Sequence, residues 1–344
     1  MGRYLKLTFM SAFFVSLIVA IVLISANRPR ILILHSYDPS YVWTRDINVG
    51  LERILESKSW IDIRYQYMDG KKHSSKDYQR RAGISARKVI DNMEPDVLIA
   101  IDDNAQKYAA MFYTNHPKIK IVFAGINGSV HPYGYDEADN VTGILERKPV
   151  RALVELMKTI SVSGGSNIHP RAVFLSDESH STERDANYME TQDWSPAVYQ
   201  GRVPFRNYED WKKYVLTADA ETDFLLVGGY RKLNRSADDK TKVPSSEVAK
   251  WTEENSPVPV IGMNVFNTND GVMASVGVSP YEQGMVAANM ALDLIAEGKT
   301  IQDIKVQTSQ NYIISLSKSA LKKRDIVLPQ VFEAFARTTD NYLP

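Results

Sequence analysis

The chain has 344 residues, with 41 basic and 41 acidic side chains, no formal net charge and no cysteine. That length exceeds one typical domain and suits two, and the even charge balance argues against nucleic acid as the main partner. The missing cysteine excludes disulfides, thiolate zinc sites, cysteine nucleophiles and a lipidated N-terminal cysteine.

Arg3 and Lys6 precede an uncharged, mostly apolar run from Leu7 to Ser25. Such a run is a signal peptide or a membrane anchor. It is longer than a usual signal h-region, and Ile24-Ser25-Ala26 is a poor small-x-small cleavage site because Ile24 is bulky. Residues 1–27 are therefore read as a leader, either cleaved or retained as an N-terminal apolar helix. The body from Arg28 onward is expected outside the cytoplasm.

After the leader, apolar strand runs alternate with helical periods. Strands are predicted at Ile31 to Leu34, Ile61 to Tyr67, Val97 to Ile101, Ile119 to Ala124 and Val141 to Leu145. Between them, helices are predicted from Ile47, Leu51, Ile54 and Leu55 on one face, from Ala82 to Met93, and from Asp103 to Tyr113. Pro149 opens another helix. The pattern then restarts, with strands at Ala172 to Leu175, Val198 to Val203, Phe224 to Val227 and Val258 to Ile261. Helices near Thr182 to Asp193, Glu209 to Leu216 and Ser246 to Glu254 separate them. Two successive βα runs predict two doubly wound Rossmann-like lobes with parallel sheets. No sequence repeat relates the halves.

Ser279 to Gly298 is the clearest single helix. Ser279 at N-cap, Pro280 at N1 and Glu282 at N3 form a capping box, and Gly298 is the stop. Its small inner face, including Gly284, Ala287, Ala288 and Ala291, predicts close packing on a sheet. One more strand and a basic turn, Lys322-Lys323-Arg324, follow, and then a short helix over Val331 to Ala336.

Several strands break abruptly into polar loops at their carboxyl ends, where open parallel sheets bind ligands. The candidates are read from those ends. Ser36, Tyr37, Tyr41 and Trp43 follow the first strand; aromatics there can stack on a ring and hydroxyls can orient it. Asp102 and Asn104 follow the third, Asp102 as the ligand carboxylate, while Asp103 reads as a helix N-cap. Gly125 and Asn127 let the backbone approach a bound group. Glu146 suits a hinge or a ligand contact. Asp177, Ser179 and Thr182 precede a helix whose free N–H groups suit a carboxylate. Tyr230 and Asn264 also follow strands. Asp177, Glu178, His180 and Glu183 form a loose cluster, read as a solvated helix start rather than a metal site. There is no G-x-S-x-G, G-x-x-x-x-G-K-[ST], early G-x-G-x-x-G or H-E-x-x-H. The reading is non-enzymatic, with no cofactor and no metal.

These motifs together resemble extracytoplasmic solute-binding proteins of ABC importers, in the group similar to tryptophan/tyrosine-binding proteins. The resemblance is carried by H-S-Y-D-P-S-Y-V-W (His35 to Trp43), I-D-D-N-A (Ile101 to Ala105) and V-F-A-G-I-N-G (Val122 to Gly128). N-V-T-G-I-L-E (Asn140 to Glu146), V-I-G-M-N (Val260 to Asn264) and V-G-V-S-P-Y-E-Q-G (Val276 to Gly284) extend it over nearly the whole body. It implies the type I periplasmic-binding fold, two lobes joined by three chain crossings and closing on a ligand. Lobe one would be residues 30–146 plus 279–304, lobe two 147–278 plus 305–329, and 330–344 a tail. The implied partners are a small polar or aromatic solute and an ABC permease. A retained leader would instead suit a membrane-anchored receptor acting with a sensor kinase. Amino acids follow from the resemblance; sugars and nucleoside-like solutes fit the same aromatic and acidic residues.

Overall fold

The computed structural model describes residues 10, 13–19, 28–73, 75–163 and 169–344. The expected leader lies largely outside them. Among the described residues no helix is long and apolar enough to cross a membrane. The chain folds into two compact units. Unit one holds Met1–Ala124, His131–Gly143 and Gly284–Lys305; unit two holds Gly125–Val130, Ile144–Gln283 and Val306–Pro344.

Unit one is built on β1 (Arg30–His35), α1 (Val42–Leu55), β2 (Asp62–Tyr67), α2 (Lys76–Met93), β3 (Val97–Ile101), α3 (Asp102–Tyr108), β4 (Lys120–Ile126) and β5 (Val141–Leu145). The strands run β5-β4-β3-β1-β2, with the two-residue strand Gln307–Thr308 added in parallel beyond β5, and β1 is parallel to both β2 and β3. Ile31 to Leu34 and Val97 to Ile101 are wholly inaccessible. Their unbroken apolar runs, rather than alternating ones, follow from helices covering both faces of the sheet. Each buried Ile, Leu or Val adds roughly 1.5–3 kcal/mol. The inward face of α1 is Ile47, Leu51 and Leu55. In α2 the Ser75 side chain accepts the Tyr78 N–H. That helix ends at Glu94, whose φ of 44° is left-handed, before Pro95, which disfavours helix in the residue preceding it.

Unit two opens with α4 (Val150–Ser163). It continues through β6 (Arg171–Asp177), α5 (His180–Glu190), β7 (Val198–Phe205), α6 (Tyr208–Val215), β8 (Phe224–Val227), α7 (Ser245–Asn255), β9 (Val260–Gly262), α8 (Phe266–Asp270) and β10 (Ala274–Val278). After α9 (Pro280–Ile295) come β11 (Gln307–Thr308), β12 (Tyr312–Ser317), α10 (Lys318–Lys323), α11 (Gln330–Thr338) and β13 (Tyr342–Leu343). The sheet order is β7-β6-β8-β9-β10-β12-β13, with β12 antiparallel to β10. Alternate residues of β6 and β8 enter two separate cores. Phe174 and Leu226 pack with α4 and α5 on one face; Leu175 and Leu225 pack with Trp211 and Val248 on the other. Counted from its own first strand, each unit has the order 2-1-3-4-5, with its switch point between the first and third strands. The expected doubly wound α/β class is therefore observed in both units.

The Ser279 start of α9 corrects one expectation. Ser279 Oγ accepts the Glu282 N–H at 3.2 Å, as a cap should. The Glu282 carboxylate does not complete the box. It accepts the N–H groups of Gln310 and Asn311, at 3.1 and 3.0 Å, and so pins the approach to β12. One residue of the small face also meets a different neighbour. Gly284 lies against the Ile47 carbonyl and Leu51 of α1, a helix rather than a sheet, and a Cβ there would collide with the Ile47 oxygen. In an open helix Gly→Ala gains about 1 kcal/mol. Gly284→Ala is instead expected to lose about 1–3 kcal/mol to overpacking, read as a lower denaturant midpoint with an unchanged slope.

Candidate functional site

In unit one the switch point lies between the carboxyl ends of β1 and β3. Ser36 is fully buried there. Its hydroxyl donates to the Ile101 carbonyl at 2.7 Å and accepts the Ala105 N–H at 2.7 Å. Ser36 thus caps α3 from a separate loop. Asp103, the expected cap, instead accepts the Tyr133 hydroxyl at 2.6 Å. Asp102 opens α3 with a φ of 64°, a conformation a non-glycine residue holds only when its surroundings enforce it. It is buried, and its Oδ1 accepts the Trp43 indole N–H at 3.0 Å. Two residues 59 apart in sequence are thereby joined at the switch point.

Tyr37 and Tyr41 meet edge to face, with ring centroids 5.4 Å apart. The Lys71 ammonium lies 4.6 Å and 5.3 Å from those two centroids, within cation–π range. Its neighbour Lys72 pairs with Asp38 at 2.9 Å. Asn104 is half-buried, its amide beside Gly70. The turn after β2, Asp69 to Lys72, is therefore part of this wall, and the sequence reading missed it. Its only sequence signal is Asp69-Gly70 after a strand. Beneath the loop, His35 is fully buried and stacks on Tyr67 at 5.1 Å. Burial drives its pKa down to about 3, opposed only in part by the Asn48 amide.

In unit two Asp177 closes β6 at the second switch point. Its Oδ1 accepts the Ser179 N–H at 3.0 Å, and its Oδ2 accepts the Lys232 N–H at 2.9 Å. Its own N–H donates to Gly229 at 3.0 Å. Arg202 donates to Ser176 Oγ and to the Asp177 carbonyl, each at 2.7 Å. Thr182 Oγ1 returns to the Asp177 and Ser179 carbonyls, both at 2.8 Å. Both Asp177 carboxylate oxygens thus bind backbone N–H groups of the loops. Tyr230 is likewise committed: it is buried, donates to Asp270 and accepts from Asn267, both at 2.8 Å. Next to it Arg231, another missed residue, lies 4.6 Å from the Phe266 ring centroid.

Glu146 and Asn264 meet through a residue the sequence did not single out. Lys148 is buried, its ammonium 3.3 Å from Glu146, 3.4 Å from Asp185 and 2.9 Å from Asn264 Oδ1. Burial works against its charge, but the carboxylates of Asp185 and Glu146 outweigh burial and hold its pKa above the ordinary lysine value. Gly125, with φ 69°, donates its N–H to Gln283 Oε1 at 2.8 Å. The Asn127 carbonyl accepts from Arg147 at 2.9 Å. The loose acidic cluster disperses: Glu178 pairs with Arg206, and exposed His180 with Glu183. Among the described residues no three metal-ligating side chains gather.

Residues 238–339 match the profile of a family described as ABC transporter substrate binding protein. The resemblance read from the sequence is borne out. No curated protein sequence matches the chain significantly. Solved structures do match. An ABC domain from Streptococcus pneumonia, solved in complex with L-Trp, superposes with a TM-score of 0.64 at 15% identity, covering 92% of this chain and 100% of that one. A conserved domain protein from Vibrio cholerae gives 0.62 at 17% identity, over 90% and 98% of the two chains. A ligand-free, open substrate-binding protein with adhesive properties from Clostridium difficile gives 0.60 at 15%, over 88% and 96%. At these identities the likeness establishes the fold, which is the type I periplasmic-binding architecture.

Two consequences concern stability. Ser36→Ala removes the α3 cap and is expected to cost about 1–2 kcal/mol by denaturant titration; an unchanged midpoint would remove that role. His35, held near 3 when folded, takes up its proton in the unfolded chain near the ordinary 6.5. The unfolded state then binds more protons between those values, so stability is lost as pH falls through that window. From about pH 7 to about pH 5 the loss is about 2 kcal/mol. His35→Phe should flatten that part of the stability–pH curve.

Proposed function

We propose that this protein is an extracytoplasmic solute-binding protein of an ABC importer, taking a small polar or aromatic ligand, amino acid-like in preference to sugar. The observation that carries the reading is the Trp43–Asp102 pair at the β1/β3 switch point. An indole face and a carboxylate, with the Tyr37, Tyr41 and Lys71 cluster of the same loop region, can stack on a ring and hold a charged or hydroxylated group. Asn104 adds an amide beside them. Gly125, Asn127, Glu146, Ser179 and Asn264 are the proposed contacts of unit two, while Asp177 and Tyr230 support the loops that carry them. Binding of this kind needs no nucleophile, metal or cofactor. It would draw the two units together in proportion to the ligand's extra affinity for the closed state.

The permease is the proposed partner and the periplasm the proposed location. The unusually long apolar run from Leu7 to Ser25 favours a second reading, an anchored receptor that reports ligand to a sensor kinase. Mass spectrometry of the mature N-terminus separates the two: retention of Met1 to Ser25 would count against a freely diffusing carrier.

A thermal-shift screen of amino acids, sugars and nucleosides tests the function itself, since a tight ligand raises the melting temperature by mass action. With the ligand in hand, Trp43→Ala and Asp102→Ala are each expected to weaken binding about tenfold, or about 1.4 kcal/mol. Because the two side chains share a hydrogen bond, their effects should not add. Wild-type affinity in both variants would remove the site from this wall.

A further inference from the structure

The segment Gly125–Val130 leaves β4 and packs within unit two. It has no helix or sheet ladder of its own beyond Ile126, so its carbonyls need partners from elsewhere. One side chain supplies three of them. The two N–H bonds of one Arg147 guanidinium nitrogen are shared among the carbonyls of Ile126 at 2.9 Å, Asn127 at 2.9 Å and Glu146 at 2.7 Å. The other nitrogen donates to Gly128 at 2.9 Å. Its planar face lies 5.4 Å from the Tyr188 ring centroid on α5. Arg184, from the same helix, packs so closely on Gly128 that a Cβ there would crowd it. The Glu146 N–H donates to Ile126 at 3.0 Å. The loop is thus held between one guanidinium and one helix face.

Arginine and lysine are not interchangeable in this arrangement. Lysine has a point charge and cannot present several fixed N–H directions at once. Lys148, next in sequence, holds Glu146, Asp185 and Asn264, so adjacent residues fix three separate pieces of the proposed unit-two contact set.

We infer that Arg147 is the positioning residue that sets the shape of the Gly125–Gly128 loop for ligand binding, acting through the loop's backbone rather than by touching the ligand. The inference rests on the solute-binding reading above. Its test compares wild type with Arg147→Lys and Arg147→Gln, using exposed Arg151→Ala as a control. Two measurements are made: hydrogen exchange of the 125–128 amides in ligand-free protein, and affinity for the compound that the amino acid, sugar and nucleoside screen returns. Circular dichroism confirms that each variant folds. The expected result is amide exchange at least tenfold faster in that loop and affinity at least tenfold weaker in both Arg147 variants, with neither change in Arg151→Ala. Unchanged exchange overturns the positioning role. Faster exchange with wild-type affinity also overturns it, because the loop would then lie outside the site. A wild-type protein that binds nothing in the screen overturns the solute-binding reading, and the role of Arg147 with it. Binding by wild type and by both variants alike overturns Arg147 alone.

Discussion

Two parallel strands that part at their carboxyl ends leave backbone groups that no further strand can satisfy, and a buried backbone group without a partner is costly. Both units face this problem, because both have the 2-1-3-4-5 order and hence one switch point each. Unit one solves it with a neutral hydroxyl: Ser36 takes the Ile101 carbonyl and the Ala105 N–H. Unit two solves it with a carboxylate: Asp177 takes the N–H groups of Ser179 and Lys232. The halves share no visible sequence repeat, yet the same topological constraint recurs and is met by different chemistry.

That constraint sorts the polar residues at the strand ends. A side chain whose hydrogen-bonding capacity is spent on the backbone is poorly placed to specify a ligand; one that presents a ring face or a charge at the surface of the loop is better placed. Ser36, Asp177 and Tyr230 fall in the first group. Tyr37, Tyr41, Trp43 and Lys71 fall in the second. Asp102 stands between them: one oxygen holds the Trp43 indole, and its left-handed backbone turns the carboxylate at the very start of α3.

The fold was largely legible because buried strands and amphipathic helices leave strong periodic signals. Ile31 to Leu34 and Val97 to Ile101 could hardly be anything but buried strands. The strand Ala274–Val278 escaped because Gly277 and Ser275 interrupt its apolar run, and Gly277 is glycine for a local reason: a Cβ would crowd the Val265 N–H. The candidate site was legible only in part. Trp43 and Asp102 are conspicuous by type and by position after strands, but their contact spans 59 residues and has no sequence signature. Asp103 and Glu282 had the right spacing for caps. Each was drawn away by a partner distant in sequence, Tyr133 in one case and the chain at Gln310 and Asn311 in the other.

Arg147 and Lys148 show why such residues stay hidden. In the sequence they are two ordinary cations after a strand, and a charge run there is usually a solvated face. Burial changes the meaning of Lys148. An ammonium taken out of water is tolerated only where carboxylates and acceptors surround it, and Lys148 has Glu146, Asp185 and Asn264 at hydrogen-bonding or ion-pair distance. The four carbonyls that the Arg147 guanidinium faces are groups that every sequence contains. Backbone carbonyls carry no residue identity, so no motif can announce a residue whose partners are the chain itself. Where a loop is held in shape by contacts of this kind, its positioning is harder to read from sequence than the side chains it carries.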